Sequence, residues 1–226
     1  MKRKNEVEQI RVDLLEKYPN LHIFINHDGN PEIAGSFPVR GSRGEELDRY
    51  SVSIILPKTY PKDLPIVYEV GHRIPRNPDY HINPDGSACV LIPEDRWRSF
   101  PEGAPFLQYL DVPLYNFFLS QTCYAEKGIW PFGQWKHGSK GVSEYYRWLI
   151  GSEDNLTLHR FLHILKKNNL KKHYDCPCGS GLQVKKCCLT KIRDLRSKIS
   201  PQAASKALDS LNLNRLKTPY RRSQIR

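Results

Sequence analysis

HINPDGSACVL, residues 81–91, carries a cysteine straight after Asp-Gly-Ser, on an apparent loop between two proline-rich, strand-like runs. A structural thiol is expected inside a regular apolar segment, shielded from water. Cys89 is instead displayed, as a sulfur nucleophile must be; the plainer alternative is a half-buried loop thiol with no chemistry. A second group of thiols, Cys176, Cys178, Cys187 and Cys188, lies within CPCGSGLQVKKCC. In a reducing compartment such a cluster indicates metal rather than disulfides. Four thiolates on a tight loop can surround a tetrahedral zinc, with Gly179 and Gly181 letting backbone N–H groups turn toward sulfur. Four protein ligands leave no open position, so the expected ion is structural. The alternative, four reduced and unliganded thiols on a coil, is an oxidation hazard. His173 reads as an exposed neighbour of the cluster.

The elements that must position these groups follow from periodicity. MKRKNEVEQIRVDLLEKYPN places Val7, Ile10, Leu14 and Tyr18 on one helical face. LHIFIN (21–26), PEIAGSFPVR (31–40) and RYSVSIILP (49–57) read as strands, the last alternating through Tyr50, Val52, Ile54 and Leu56. HDGNP and GSRGEE supply turns, and PIVYEV (65–70) adds a fourth strand, which together predict an antiparallel meander. Residues 71–112 read as a long irregular stretch, of the kind that is usually functional inside a compact domain. Helices are then expected in VPLYNFFLSQTCYAEKG, with Pro113 in its first turn and Gly128 as its stop. SEYYRWLIG has Ser143 as N-cap and Gly151 past its end, and DNLTLHRFLHILKKNN has Leu158, Phe161, Leu162 and Leu165 on one face. SPQAASKALDSLNLNRL starts with the cap pair Ser200-Pro201, and TPYRRSQIR reads as a frayed basic end. Cys123, beside Phe117 and Phe118, is expected to be buried.

Charge divides the chain. Residues 165–226 hold 16 Lys or Arg against three Asp, a net of +13, which leaves −2 for the rest of a chain whose net charge is +11. An anionic partner, nucleic acid or acidic protein, would therefore meet the tail. Only Tyr174 and Tyr220 are available there for stacking. No run reaches transmembrane length, so no membrane partner is expected, and the charged N-terminal helix is unlike an export leader. A cytoplasmic location is the default expectation.

The order of features around Cys89 resembles the core of ubiquitin-conjugating enzymes. That family has a Tyr-Pro-x-x-x-Pro turn, matched by Tyr60, Pro61 and Pro65, and an Asn-x-x-Gly-x-x-Cys pattern, matched by Asn83, Gly86 and Cys89. A tryptophan eight residues beyond the cysteine is matched by Trp97. The cysteine cluster resembles the SEC-C zinc motif, known from the C-terminus of the SecA translocation motor, with Cys188 where many members have histidine. GIWPFGQWKHGSKGVSEYYRWL is similar to a bacterial branch of conjugating proteins from short type II cyclic-oligonucleotide antiphage (CBASS) operons. That similarity would put Trp130, Trp135 and His137 on a wall near the active site, although all three also read as ordinary packing and turn residues.

These resemblances imply an α+β fold: a ubiquitin-conjugating-like four-stranded antiparallel meander with N- and C-terminal helices, a small zinc knuckle and a basic C-terminal helix. The expected domains are a catalytic one at 1–150, a helical connector at 151–172, the knuckle at 173–190 and a basic helical tail at 191–226. Cys89 would accept an activated protein C-terminus as a thioester and pass it to an amine, in antiviral defence with a nucleotide cyclase as the carried protein. Because no adenylation signature is present, activation is expected from a separate activating partner, or else the reaction starts from an unfamiliar donor. The family's His-Pro-Asn, whose Asn supports the oxyanion, falls on Asp79, Tyr80 and His81, so the role passes to His81 or Asn83. Glu94 and Asp95 are candidates to orient or deprotonate an incoming lysine, or else are ordinary solvated charges. Two other readings stand beside this one: an inactive scaffold of the same fold, and a basic zinc-knuckle module that binds nucleic acid or acidic protein.

Overall fold

The structure, a computed structural model, describes residues 2–133 and 138–211, with side chains from Asn5 onward. Trp135, His137 and Tyr220 lie outside the described residues. The chain divides into two compact units, Met1–Gln134 and Trp135–Arg226. The division falls before the helix Gly138–Ile150, which the sequence groups with the first domain.

In the first unit, helix α1 (Lys2–Lys17) precedes strands β1 (Leu21–Ile25), β2 (Pro31–Arg40), β3 (Glu46–Ile55) and β4 (Ile66–Glu69). The four strands form one antiparallel sheet in sequence order, the expected meander. Tyr50, Val52, Ile54 and Leu56 are all buried, because period-2 alternation sends them to the same side of the sheet. That side meets Ile10 and Leu14 of α1 and a helical run beginning at α3 (Phe106–Tyr109) and ending in α4 (Tyr115–Lys127). Phe118 of α4 lies 4.5 Å from the Tyr50 ring and 5.5 Å from Phe37, which stacks on Tyr18. Such aromatic contacts bury large areas and fix the angle between helix and sheet. Gly35, opposite Leu21, has φ +142, and a Cβ there would sit 2.0 Å from the Asn20 carbonyl oxygen. Only glycine permits the chain to cross so closely.

Pro113 is not at a helix start. It sits inside a π-type turn, Leu110–Leu114, joining α3 to α4, so the helical run begins at Phe106. The wider i→i+5 pattern accommodates proline's missing N–H within the run. Gly128 closes α4 in the left-handed conformation, as expected. The stretch between β4 and α3 holds short helical turns, Pro78–Tyr80 and Pro93–Asp95, and the single-turn helix α2 (Arg96–Ser99).

The second unit contains α5 (Gly138–Ile150), α6 (Asn155–Leu165), α7 (Leu189–Lys198) and α8 (Pro201–Ser210). Ser143 lies within α5 rather than capping it, and its hydroxyl accepts a hydrogen bond from Arg147. Leu158, Phe161, Leu162 and Leu165 are buried as the α6 pattern requires. Ser200 caps α8 through the Ala203 N–H, with Pro201 behind it. Helix α7, absent from the sequence reading, carries the basic residues, whereas α8 holds a single lysine. Arg196 of α7 donates to the carbonyls of Ile164 (3.4 Å), Lys167 and Asn168 (3.2 Å), satisfying groups the end of α6 leaves open.

Candidate functional site

Cys89 is half-buried at the end of a loop held at both ends. Its N–H donates to the His81 carbonyl (2.8 Å), and the Ala88 N–H donates to the Val67 carbonyl on β4 (2.7 Å). Within the loop, Asn83 N–H donates to the Ser87 carbonyl and Gly86 N–H to the Asn83 carbonyl, while Ser87 hydroxyl and N–H both bond the Asp85 carboxylate. Gly86 supplies the positive φ of +84 that closes this turn. The thiol is therefore carried on a backbone pinned to the sheet.

Two features outside the loop hold its surroundings. Arg96 donates to the carbonyls of Pro61, Lys62 and Phe100, tying the Tyr60-Pro61 turn to the residues after Cys89. Gln121, buried in α4, donates to the Tyr80 carbonyl (2.8 Å). Neither was singled out from sequence; a glutamine in the apolar run NFFLSQTCY is the signal that marks Gln121.

The candidate partners of Cys89 are distributed unequally. His81 adjoins it through the backbone, in the left-handed conformation at φ 56, and its ring lies edge-on to Trp130 at 4.9 Å. Trp130 in turn stacks on Tyr124 at 4.5 Å, which builds an aromatic wall beside the loop. Asn83 is exposed, and its amide donates to Ser87 Oγ (3.0 Å). Glu94 lies within electrostatic reach of the thiol: burial first, and then Glu94, raise the Cys89 pKa above the ordinary thiol range. Asp95 accepts from Arg98 at 3.3 Å. Cys123 is half-buried rather than enclosed.

In the second unit, an isolated antiparallel bridge between Asp175 and Gln183 makes a minimal ribbon, flanked by a turn at 171–174 and a short 3-10 turn, Val184–Lys186. Cys176 N–H donates to Leu182 O (2.7 Å), Val184 N–H to Tyr174 O (2.8 Å) and Lys185 N–H to Lys172 O (3.0 Å). Gly179 and Gly181 turn the chain at positive φ, and Cys188 precedes α7, its carbonyl accepting the Ile192 N–H. The four sulfurs lie within 4.8 Å of one another, with 3.4 Å between Cys176 and Cys178 and 3.5 Å between Cys178 and Cys187. Tetrahedral bonds of about 2.3 Å from metal to sulfur imply edges of about 3.8 Å, so the cluster could hold a metal ion with little movement. Burial raises the Cys178 pKa, but hydrogen bonds from Ser180 and the neighbouring thiols outweigh it and bring the group down to about 6. Burial raises Cys176 and Cys188 instead, with the neighbouring thiols adding to the rise at Cys188, so Cys178 is the sulfur that carries thiolate at neutral pH.

No protein-family model matches the chain, and no curated protein matches it. Among solved structures, it is similar to the yeast Vps23 UEV domain in complex with a Vps27 PSDP peptide, at 15% identity and a TM-score of 0.33, over 49% of this chain and 78% of that one. It is similar also to the Vps23 UEV in a complex with ubiquitin, at 15% identity and a TM-score of 0.30, over 46% and 74%. The fold and sites described above define an α+β unit bearing a pinned, half-buried thiol, and a helical unit bearing a four-cysteine centre able to hold a metal. No helix among the described residues is long and apolar enough to cross a membrane.

Proposed function

We propose that the protein is a thioester carrier of the ubiquitin-conjugating type. Cys89 Sγ attacks the carbonyl of an activated protein C-terminal thioester, its proton passes to the departing thiol, and the acyl group resides on Cys89. An amine then displaces the Cys89 thiol and forms an amide. The single observation that carries this reading is the double tether of the Cys89 backbone, to His81 and, one residue earlier, to β4. It presents a thiol where a partner's extended tail can reach it. A raised thiol pKa is compatible with such exchange, because a less acidic thiol is intrinsically the better nucleophile. His81 and Asn83 are the two oxyanion candidates, and the Asn83 amide commits one of its two N–H groups to Ser87. Glu94 is positioned by charge to accept a proton from an incoming amine. The carried protein is proposed, on the similarity of residues 128–149 to the antiphage operon branch, to be a nucleotide cyclase activated by a separate enzyme.

The four-cysteine centre is proposed to bind zinc through Cys176, Cys178, Cys187 and Cys188, where it would cross-link the ribbon to the start of α7. Borderline-soft Zn²⁺ favours a closed set of four thiolates.

The test is non-reducing mass spectrometry of the protein recovered from cells expressing its operon neighbours. A thiol-labile protein adduct on Cys89, absent from Cys89→Ala, is expected, and its mass names the carried group. A second reading, an inactive scaffold, draws on the engagement of the Asn83 amide within its own loop. It requires Cys89→Ala to retain full biological activity with Cys89 bare in the parent.

A further inference from the structure

The ribbon of the second unit does more than carry cysteines. Lys171-Lys172 and Lys185-Lys186 are separated by 12 intervening residues, yet the Lys185 N–H donates to the Lys172 carbonyl, so the two pairs meet on adjacent segments. All four lysines are exposed, and among the described residues none of them takes part in an ion pair. The Lys171 ammonium lies 5.6 Å from the centre of the Tyr174 ring, and Lys167 lies 5.2 Å from it, so the ring brings one further cationic group, Lys167, beside the four.

Three other cations of this unit are committed internally. Arg196 bonds the carbonyls after α6, Lys191 bonds the Ile150 carbonyl, and Lys198 pairs with Asp194. Among the described residues the ribbon lysines make no such hydrogen bond or ion pair, and Lys171 alone faces a ring, that of Tyr174. Gathered within about one Debye length, they repel one another, and folding pays for that repulsion unless an anion relieves it. We propose that this lysine quartet is a binding site for the phosphodiester backbone of single-stranded nucleic acid.

Two considerations favour nucleic acid over an acidic protein. An exposed lysine–carboxylate pair contributes about 0–1 kcal/mol, whereas contact with a polyelectrolyte releases condensed counterions at every phosphate neutralised. Beside the lysines the ribbon also exposes the His173 ring, a surface on which an unpaired base can stack. The site does not depend on the Cys89 reading, and its test does not use acyl transfer.

The experiment is fluorescence anisotropy of a fluorescein-labelled 20-nucleotide oligo(U) with the full chain, between 50 and 200 mM salt. Four phosphate contacts predict a slope of about −2.8 in log K against log salt, or about a fifty-fold loss over that range. K171Q/K172Q/K185Q/K186Q should weaken binding at 50 mM at least tenfold and flatten the slope. Each pairwise variant, K171Q/K172Q or K185Q/K186Q, should remove about half of the slope. K58Q/K62Q/K127Q/K140Q, which removes the same net charge elsewhere, should bind like the parent. Equal loss in that control would reduce the effect to net charge and overturn the proposal. So would loss of binding on truncation after Leu211 alone, which would place the site in the last 15 residues. A polyglutamate of matched length that binds as tightly as oligo(U) would make the occupant an acidic protein, and also overturns it.

Discussion

At the scale of the residue, Cys89 is governed by its surroundings. Burial and the Glu94 carboxylate both disfavour the thiolate. Glu94→Gln removes the second effect and leaves the first, so the Cys89 pKa should fall while remaining raised. Alkylation of Cys89 by iodoacetamide at pH 8, followed at the level of the Cys89 peptide, should then quicken by about two- to threefold. An unchanged rate would mean that the carboxylate is turned away from sulfur in solution. If Glu94 also receives a proton from the incoming amine, the same substitution should slow transfer to amine while quickening alkylation. That opposition separates a role in the reaction from a merely electrostatic one.

At the scale of the element, the ribbon and α6 each carry a test. The cysteines join residues 176–178 to 187–188 at the start of α7, so an ion held there would stabilise the folded ribbon by its binding energy. Elemental analysis is expected to find one zinc per chain, absent from Cys176→Ser. Chelation should lower the unfolding temperature of the second unit by about 5 °C or more. Helix α6 places His159, 2% exposed, one turn from His163. Burial, then Lys167, Lys166 and His159, pushes the His163 pKa down to about 4, and His159 is lowered as well. Since an unfolded histidine titrates near 6.5, the unfolded chain binds more protons between the two values. Stability should therefore be complete above about pH 6.5, fall as pH drops toward 4, and level off below. Thermal unfolding at pH 7.5, 6 and 5 should show this decline, and His163→Gln should flatten it.

At the scale of the whole molecule, charge is segregated between the units. The first holds 15 basic and 18 acidic residues, the second 20 and six. Residues 212–226 contribute five of the basic ones and no acidic one. The full chain should be retained on a cation exchanger at pH 7.5, and a chain ending at Leu211, with net charge +6, should elute at distinctly lower salt. Co-elution of the two would mean that the last 15 residues are masked by acidic groups.

Periodicity alone determined the meander, the buried face of β3, the apolar stripe of α6 and the caps at Gly128 and Ser200, because each depends on spacing within one segment. Composition alone marked the four clustered cysteines and the uneven charge. Tertiary structure decided what depends on residues distant in sequence. It set Arg96 against the Tyr60-Pro61 turn, Gln121 against Tyr80 and Glu94 within reach of Cys89. It also ran helix through Pro113, where a π turn absorbs the proline, and started α5 before Ser143. The ribbon is the sharpest case. A stretch legible only as a cysteine loop becomes two paired segments, because hydrogen bonds from Cys176, Val184 and Lys185 close across it. No local pattern announces those bonds, and they alone bring the two lysine pairs together.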